Sequence, residues 1–408
     1  MPRGYRVFLG ILVLVWFFSG SAVRSQPRFF FLFIGDGMGE NDVRLLERYR
    51  SSQGSPSSFS ALSSVGTIST LSLGEVPDSA SSGTALACGV KTRNGMIGLD
   101  PFGKAVPSLA EIARKRGLRV GIITNVAIND ATPASFYAHR LSRRDYPGIA
   151  RDMVESGFDL LVGWGIASPG EALSLAQSRG YTVFRNWEDF LSRRDLPVIA
   201  LLSFPFCIDQ KGKGYALRDA VRRGIELLYN PQGFFLLVEG GKIDWCKHMN
   251  DVGSLLFEML DFDEAIGEAL DFAQRYPRET VILVTADHET GGLELGANLD
   301  LLRVYSQPFS YQIFLDRCSS GETPLKLARV MWRFEEEAIR QLTVPHDSSG
   351  KAFVALAREF AREVGVSWKT TSHTGTSVPV FLWEHNGPSE SWQDNTDVFR
   401  FFQRFLEE

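Results

Sequence analysis

Cysteine is scarce in this chain. Its 408 residues hold four, Cys88, Cys207, Cys246 and Cys318, with no CxxC pair. Four in a chain of this size make no disulfide framework, and their spacing does not give a pairing. Buried free thiols and a bridge both remain open, with Cys88, in a run of small residues, expected to be a buried thiol. No basic run with interleaved aromatics occurs, and the formal net charge is −5. A nucleic-acid-binding surface is therefore not expected. There is no internal repeat. "GDGMGE" (35–40) looks at first like a dinucleotide fingerprint, but Glu40 stands where that spacing needs Gly or Ala.

Long apolar runs are also missing, with one exception at the N-terminus. "MPRGYR" is positive, Val7–Phe18 is apolar, and "SGSAVRS" is small and polar. That is the layout of a secretory signal peptide over residues 1–25, with cleavage expected after Ala22 or Ser25. An uncleaved anchor is the other reading, although a spanning helix needs about 20 apolar residues. With no later run of that kind, the mature chain (26–408) is expected to be exported, periplasmic or secreted, without a transmembrane helix.

What is present is a mix of 44% hydrophobic and 22% charged residues, ordinary for a globular protein. Short apolar runs alternate with amphipathic stretches. "RFFFLFIGDG", "RVGIITNVAIND", "GFFLLVEGG" and "TVILVTADH" read as buried parallel strands. "SLAEIARKRG", "ALRDAVRRGIELLYN" and "DVGSLLFEMLDFDEAIGEALDFAQRY" read as helices. The alternation predicts an α/β fold, a three-layer α/β/α sandwich around a mainly parallel sheet. Ser-rich 51–64 reads as a loop, and 296–366 as a helical insertion within one catalytic domain.

All four predicted strands end in candidate metal ligands. They are Asp36; Asp130 and Thr132; Glu239, followed by Asp244 and His248; and Asp287 with His288. Open α/β sheets place their sites at the carboxyl ends of strands. So many acids at one sheet edge would repel unless cations neutralised them. Asp244 and His248, four apart, share a face if that segment is helical. His373 lies in "TTSHTG", which on its own fits a loop histidine as well as a ligand. "VPDSASSGTALACG" (76–89) reads as a helix of small residues. Its Asp-Ser start is either an ordinary cap or a nucleophile, Ser79, at an anion-attracting helix N-terminus.

With these segments in view, the sequence resembles the alkaline phosphatase family. Its most specific match is "VPDSASSGT", and the motifs follow one another in the family's order. The resemblance implies a phosphate monoester hydrolase with two Zn2+ and one Mg2+. Ser79 would be the nucleophile, forming a phosphoserine that zinc-bound water resolves by in-line attack. It implies one zinc on Asp244, His248 and His373, and the other on Asp36, Asp287 and His288. Magnesium would take Asp36, Thr132 and Glu239, with Asp130 holding its water. Arg143 would clamp the phosphate, with Arg140 and Arg144 as surface neighbours. His139, His346 and His385 would be structural or solvated. Family members are often homodimers, so a homodimer is an assembly the resemblance allows. Trp245 departs from the pattern, since well-known members carry Lys or His there; weaker retention of product phosphate is expected. The alternatives are a phosphodiesterase or sulfatase on a similar fold, and a non-catalytic exported protein that binds metal or phosphate.

Overall fold

The structure, a computed structural model, describes residues 1, 26–211, 213–334, 345, 348–384 and 391–407. The expected leader, apart from Met1, lies outside the described residues, as do His346 and His385. Among the described residues no helix is long and apolar enough to cross a membrane.

Each of the four apolar runs forms a strand of one sheet. In chain order the sheet uses β1 (Phe29–Ile34), β2 (Ser63–Ile68), β3 (Arg119–Thr124), β4 (Leu160–Gly163), β5 (Thr182–Phe184), β6 (Val198–Leu201), β7 (Phe234–Glu239), β8 (Thr280–Thr285) and a last strand, Val378–Trp383. The spatial order is β2, the last strand, β8, β1, β7, β3, β4, β6, β5. The four predicted strands are thus contiguous, in the order β8-β1-β7-β3, and mutually parallel. Their register is flush: Ile34 lies opposite both Thr285 and Glu239, and Glu239 lies opposite Thr124. Whatever follows these strands therefore emerges at one level of one edge. Only the last strand runs antiparallel, pairing with β8 and β2.

The absence of polar alternation in these strands has a direct cause. Every residue of β1, β7 and β8 is buried, because helices cover both faces. Phe30 packs its ring on Phe402 of helix Thr396–Glu407, whereas Phe31 and Phe33 meet Phe272 and Phe262 of helix Val252–Arg275. Alternate side chains of one strand thus reach opposite helical layers, as its pleat dictates, and the architecture is the three-layer α/β sandwich. The predicted helices occur as Leu109–Lys115, Leu217–Leu228 and Val252–Arg275.

Residues 51–64 differ from the loop expectation. A helix persists to Ser52, Ser57 caps a 3-10 turn over Ser58–Ala61, and β2 begins at Ser63. Serine composition hid these elements, because β2 is mostly exposed and held by pairing with the last strand rather than by burial. Between residues 296 and 366 the described chain forms helices Leu301–Tyr305, Tyr311–Ser319, Pro324–Trp332 and Ser349–Glu363. Leu293–Leu295 and Val366–Trp368 pair antiparallel across its base. It docks on the N-terminus of helix Val252–Arg275, where Asp251 accepts from the Gln307 amide (2.7 Å) and Tyr311 N–H (2.9 Å).

Candidate active site

The flush strand ends bring the predicted acids together. Ligand atoms of Asp36, Asp287 and His288 lie within 4.8 Å of one another, and so do those of Asp244, His288 and His373. His288 therefore belongs to both groups. His248 joins through Asp244, with Nε2 at 3.0 Å from Oδ2, and its ring centre is 5.1 Å from that of His373. Thr132 donates to Asp36 Oδ2 at 3.4 Å. Glu239, at the tip of β7, accepts the Thr124 hydroxyl.

The loop after β1 explains the glycines that fail as a dinucleotide fingerprint. Gly37 adopts φ +71°, and a Cβ there would sit 2.8 Å from Asp244 Oδ1. Its N–H donates to Asp287 Oδ1 at 3.1 Å. Backbone, rather than side chain, is what fits between these two acids.

Three imidazoles are oriented alike. His248 Nδ1 lies 2.6 Å from the Thr371 carbonyl, and His373 Nδ1 lies 2.8 Å from that of Pro77. A carbonyl only accepts, so each Nδ1 carries a proton, and Nε2 keeps a lone pair whenever the ring is neutral. The Thr290 hydroxyl donates to Asp244 Oδ1 (2.6 Å), leaving its oxygen to accept from His288 Nδ1 at 3.2 Å. All three Nε2 atoms are thereby available to a cation, the usual support of metal-ligating histidines.

Electrostatics test the fit. Asp36 Oδ1 and Asp287 Oδ2 are buried with no hydrogen-bond partner among the described residues. Burial, then the neighbouring Asp287 and Asp244, pushes the Asp36 carboxyl well above the usual range. Burial likewise pushes Asp287 up to about 7 and Glu239 up to about 8. His288 is held well below its ordinary value, by burial first and by His373 next, so its imidazole is neutral. Buried acids without partners, facing the neutral imidazole of His288, are costly as they stand. They are a donor set suited to divalent cations of the zinc and magnesium kind.

Ser79 opens the fully buried helix Ser79–Cys88, capped by Asp78, which accepts from Ser81 N–H at 3.0 Å. Its Oγ lies 3.3 Å from His288 Nε2. Arg143 reaches Asp78 (3.3 Å) and Asp130 (3.2 Å) with separate nitrogens. Asp130 also accepts from Ala131 N–H at 2.7 Å. Arg144 is exposed. Arg140, expected at the surface, is instead half-buried, because it grips Asp152, with Nε at 2.7 Å from Oδ2. Trp245 is half-buried against Trp164, ring centres 6.0 Å apart. His139 is structural, held between Gly98 O (2.7 Å) and Glu111 (3.2 Å). All four cysteines are free.

Sequence reasoning missed Thr290 and the partnership of Asp78 with Arg143. Thr290 stands two residues beyond His288, and strand alternation could have placed both on one side. Nothing local pairs Asp78 with an arginine 65 residues away.

The family described as alkaline phosphatase matches residues 28–159 and 178–407. Alkaline phosphatase 4 of Bacillus subtilis (strain 168) is 29% identical over 390 residues, spanning 88% of this chain and 84% of that protein. The cold-active alkaline phosphatase of the psychrophile Shewanella sp. superposes with a TM-score of 0.84 at 28% identity, covering 93% of this chain and all of that one. A variant of the TAB5 alkaline phosphatase, crystallised with magnesium bound, has a TM-score of 0.68 at 28% identity over 94% of this chain and 99% of that one. By its flush strand ends, its ligand geometry and these likenesses, the chain belongs to the alkaline phosphatase family of enzymes.

Proposed function

We propose that the protein hydrolyses phosphate monoesters through a phosphoserine at Ser79, with two zinc ions and one magnesium ion. One observation carries the reading: Ser79 Oγ lies 3.3 Å from Nε2 of His288, the imidazole common to both candidate ligand groups. Asp36, Asp287 and His288 would hold one zinc; Asp244, His248 and His373 the other. Asp36, Thr132 and Glu239 would hold magnesium, with Asp130 beside it; magnesium in the TAB5 variant supports this part. When bound, these ions supply Lewis-acid charge to the phosphoryl and leaving oxygens and make the serine hydroxyl easier to ionise.

The chain's own groups do the rest. Ser79 Oγ attacks phosphorus in line as the bond to the ester oxygen breaks, and the hydroxyl proton leaves with the departing alcohol. Water then displaces Oγ, releasing inorganic phosphate and restoring the hydroxyl. Arg143 offers its planar N–H fork to two equatorial oxygens. Asp78 and Asp130 hold that guanidinium, so little side-chain freedom is lost on binding. Trp245, an uncharged indole, adds no cation to the phosphate site.

Labelled phosphate should be trapped on Ser79 at acidic pH. Its absence in the metal-loaded protein would refute the reading. Rates on p-nitrophenyl phosphate should exceed those on the bis ester and the sulfate, which separates a monoesterase from a diesterase or sulfatase. Export is read from the apolar Val7–Phe18; N-terminal sequencing of exported protein should begin after Ala22 or Ser25. Sedimentation would decide whether the protein is a homodimer.

A further inference from the structure

Beside the ligand cluster lies a second set of buried charges that the proposed chemistry does not use. Lys247, Asp42 and Glu289 are 0%, 0% and 4% exposed. Lys247 Nζ donates to Asp42 Oδ2 and, at 2.9 Å, to Glu289 Oε1. Glu289 Oε2 accepts the Thr374 hydroxyl at 2.5 Å. Asp42 Oδ2 also accepts Gly39 N–H at 2.6 Å.

Each member belongs to a different segment, and each of those segments carries a ligand. Lys247 lies between Asp244 and His248, immediately before the latter. Asp42 follows Asp36 by six residues, Glu289 follows His288 directly, and Thr374 follows His373 directly. The backbone repeats the connection: Thr374 pairs with Glu289 and His373 with Thr290 in a two-residue antiparallel ladder. Space is kept for the network as well, since a Cβ on Gly39 would lie 2.7 Å from Glu289 Cγ.

We propose that Lys247 is a positioning residue whose ammonium, through Asp42, Glu289 and Thr374, fixes the four ligand-bearing segments in the register that metal binding needs. The inference rests on the metal reading above. A buried ion triad is a poor way to gain stability, because apolar residues of similar volume often do as well or better. Retaining one directly behind the ligands is explained by geometry instead. Carboxylates of ligand-bearing segments that were left free could also compete for the ions; the ammonium occupies them.

The test uses full-length protein loaded with zinc, and separately with cobalt. Lys247→Met combined with Asp42→Asn and Glu289→Gln removes all three charges together, so no buried charge is left alone. The expected result is a folded protein that releases zinc to a chromogenic chelator about 10–100-fold faster than the unmutated protein, the usual cost of losing outer support. Its cobalt form should show an altered visible spectrum. A folded triple variant with unchanged release and spectrum would overturn the proposal. Should the triple variant not fold, Thr374→Val decides by the same two readouts, since it deletes one hydroxyl and keeps the shape. Faster release and a changed spectrum support positioning; unchanged values overturn it. If the unmutated protein takes up neither metal, the metal reading itself fails, and this inference with it.

Discussion

Two groups of buried acids lie side by side in this protein, and they are neutralised in different ways. Asp42 and Glu289 carry their own cation, the Lys247 ammonium, within hydrogen-bond reach. Among the described residues, Asp36, Asp287 and Glu239 face no such side chain, and two of their oxygens have no hydrogen-bond partner. The first group folds with a counter-charge in place, one ammonium between two carboxylates. The second is left with carboxyls pushed upward by burial and by one another. A fixed ammonium suits a joint that must hold still, whereas a cation from solution suits a centre that must exchange ligands with substrate.

Removing metal is the strongest way to break this contrast. Chelation should abolish monoesterase activity, a loss of about 10^3-fold or more if the ions supply several kcal/mol to the transition state. Zinc plus magnesium should restore it, as read by p-nitrophenyl phosphate turnover. Next comes the built-in pair. Lys247→Met leaves two buried carboxylates without their cation and should cost about 3–5 kcal/mol in urea unfolding of the metal-free protein. The opposite sign is expected among the uncompensated acids. Asp287→Asn should raise metal-free stability at pH 8 by on the order of 1–2 kcal/mol, because it deletes a charge that burial disfavours. It should weaken zinc binding at the same time, as measured by competition with a chelator. Trp245→Lys would add a cation near phosphate and should tighten phosphate inhibition by about tenfold, or ~1.4 kcal/mol; unchanged inhibition would show that the position does not face product.

The smallest effect is a control remote from both groups. The hydrogen bond that His139 donates to Glu111, acting against burial, raises the His139 pKa above its ordinary value. Its contribution should be fully present below about pH 6.5 and lost as pH rises through the raised folded value. His139→Gln should therefore cost up to about 1 kcal/mol at pH 6 and less at pH 9, read by thermal unfolding at the two pH values.

Much of the scaffold was legible from residue order. Phe29–Ile34 and Phe234–Glu239 read as doubly buried strands because nothing in them tolerates water. Asp36, Asp287 and His288 stood out because ionisable groups followed directly on such strands. Asp78, Thr290 and Lys247 were not legible as parts of the site. Each looks locally like a cap, a strand hydroxyl or a helix surface lysine, and each takes its role from a partner distant in sequence. Ser63–Ile68 escaped for the same reason, since its pairing with Val378–Trp383 is not a property of its own composition.

By itself the sequence determined which segments must leave water, where each stops, and which candidate ligands stand at the stops. Hydrophobic burial and backbone periodicity are local enough to be read from order alone. Only the tertiary structure decided that β8, β1, β7 and β3 lie adjacent with flush ends, that one imidazole lies within reach of both candidate ligand groups, and that one ammonium pairs with Asp42 and Glu289. Those outcomes depend on strand order, register and distances of a few ångströms between residues far apart in the chain, which no local pattern encodes.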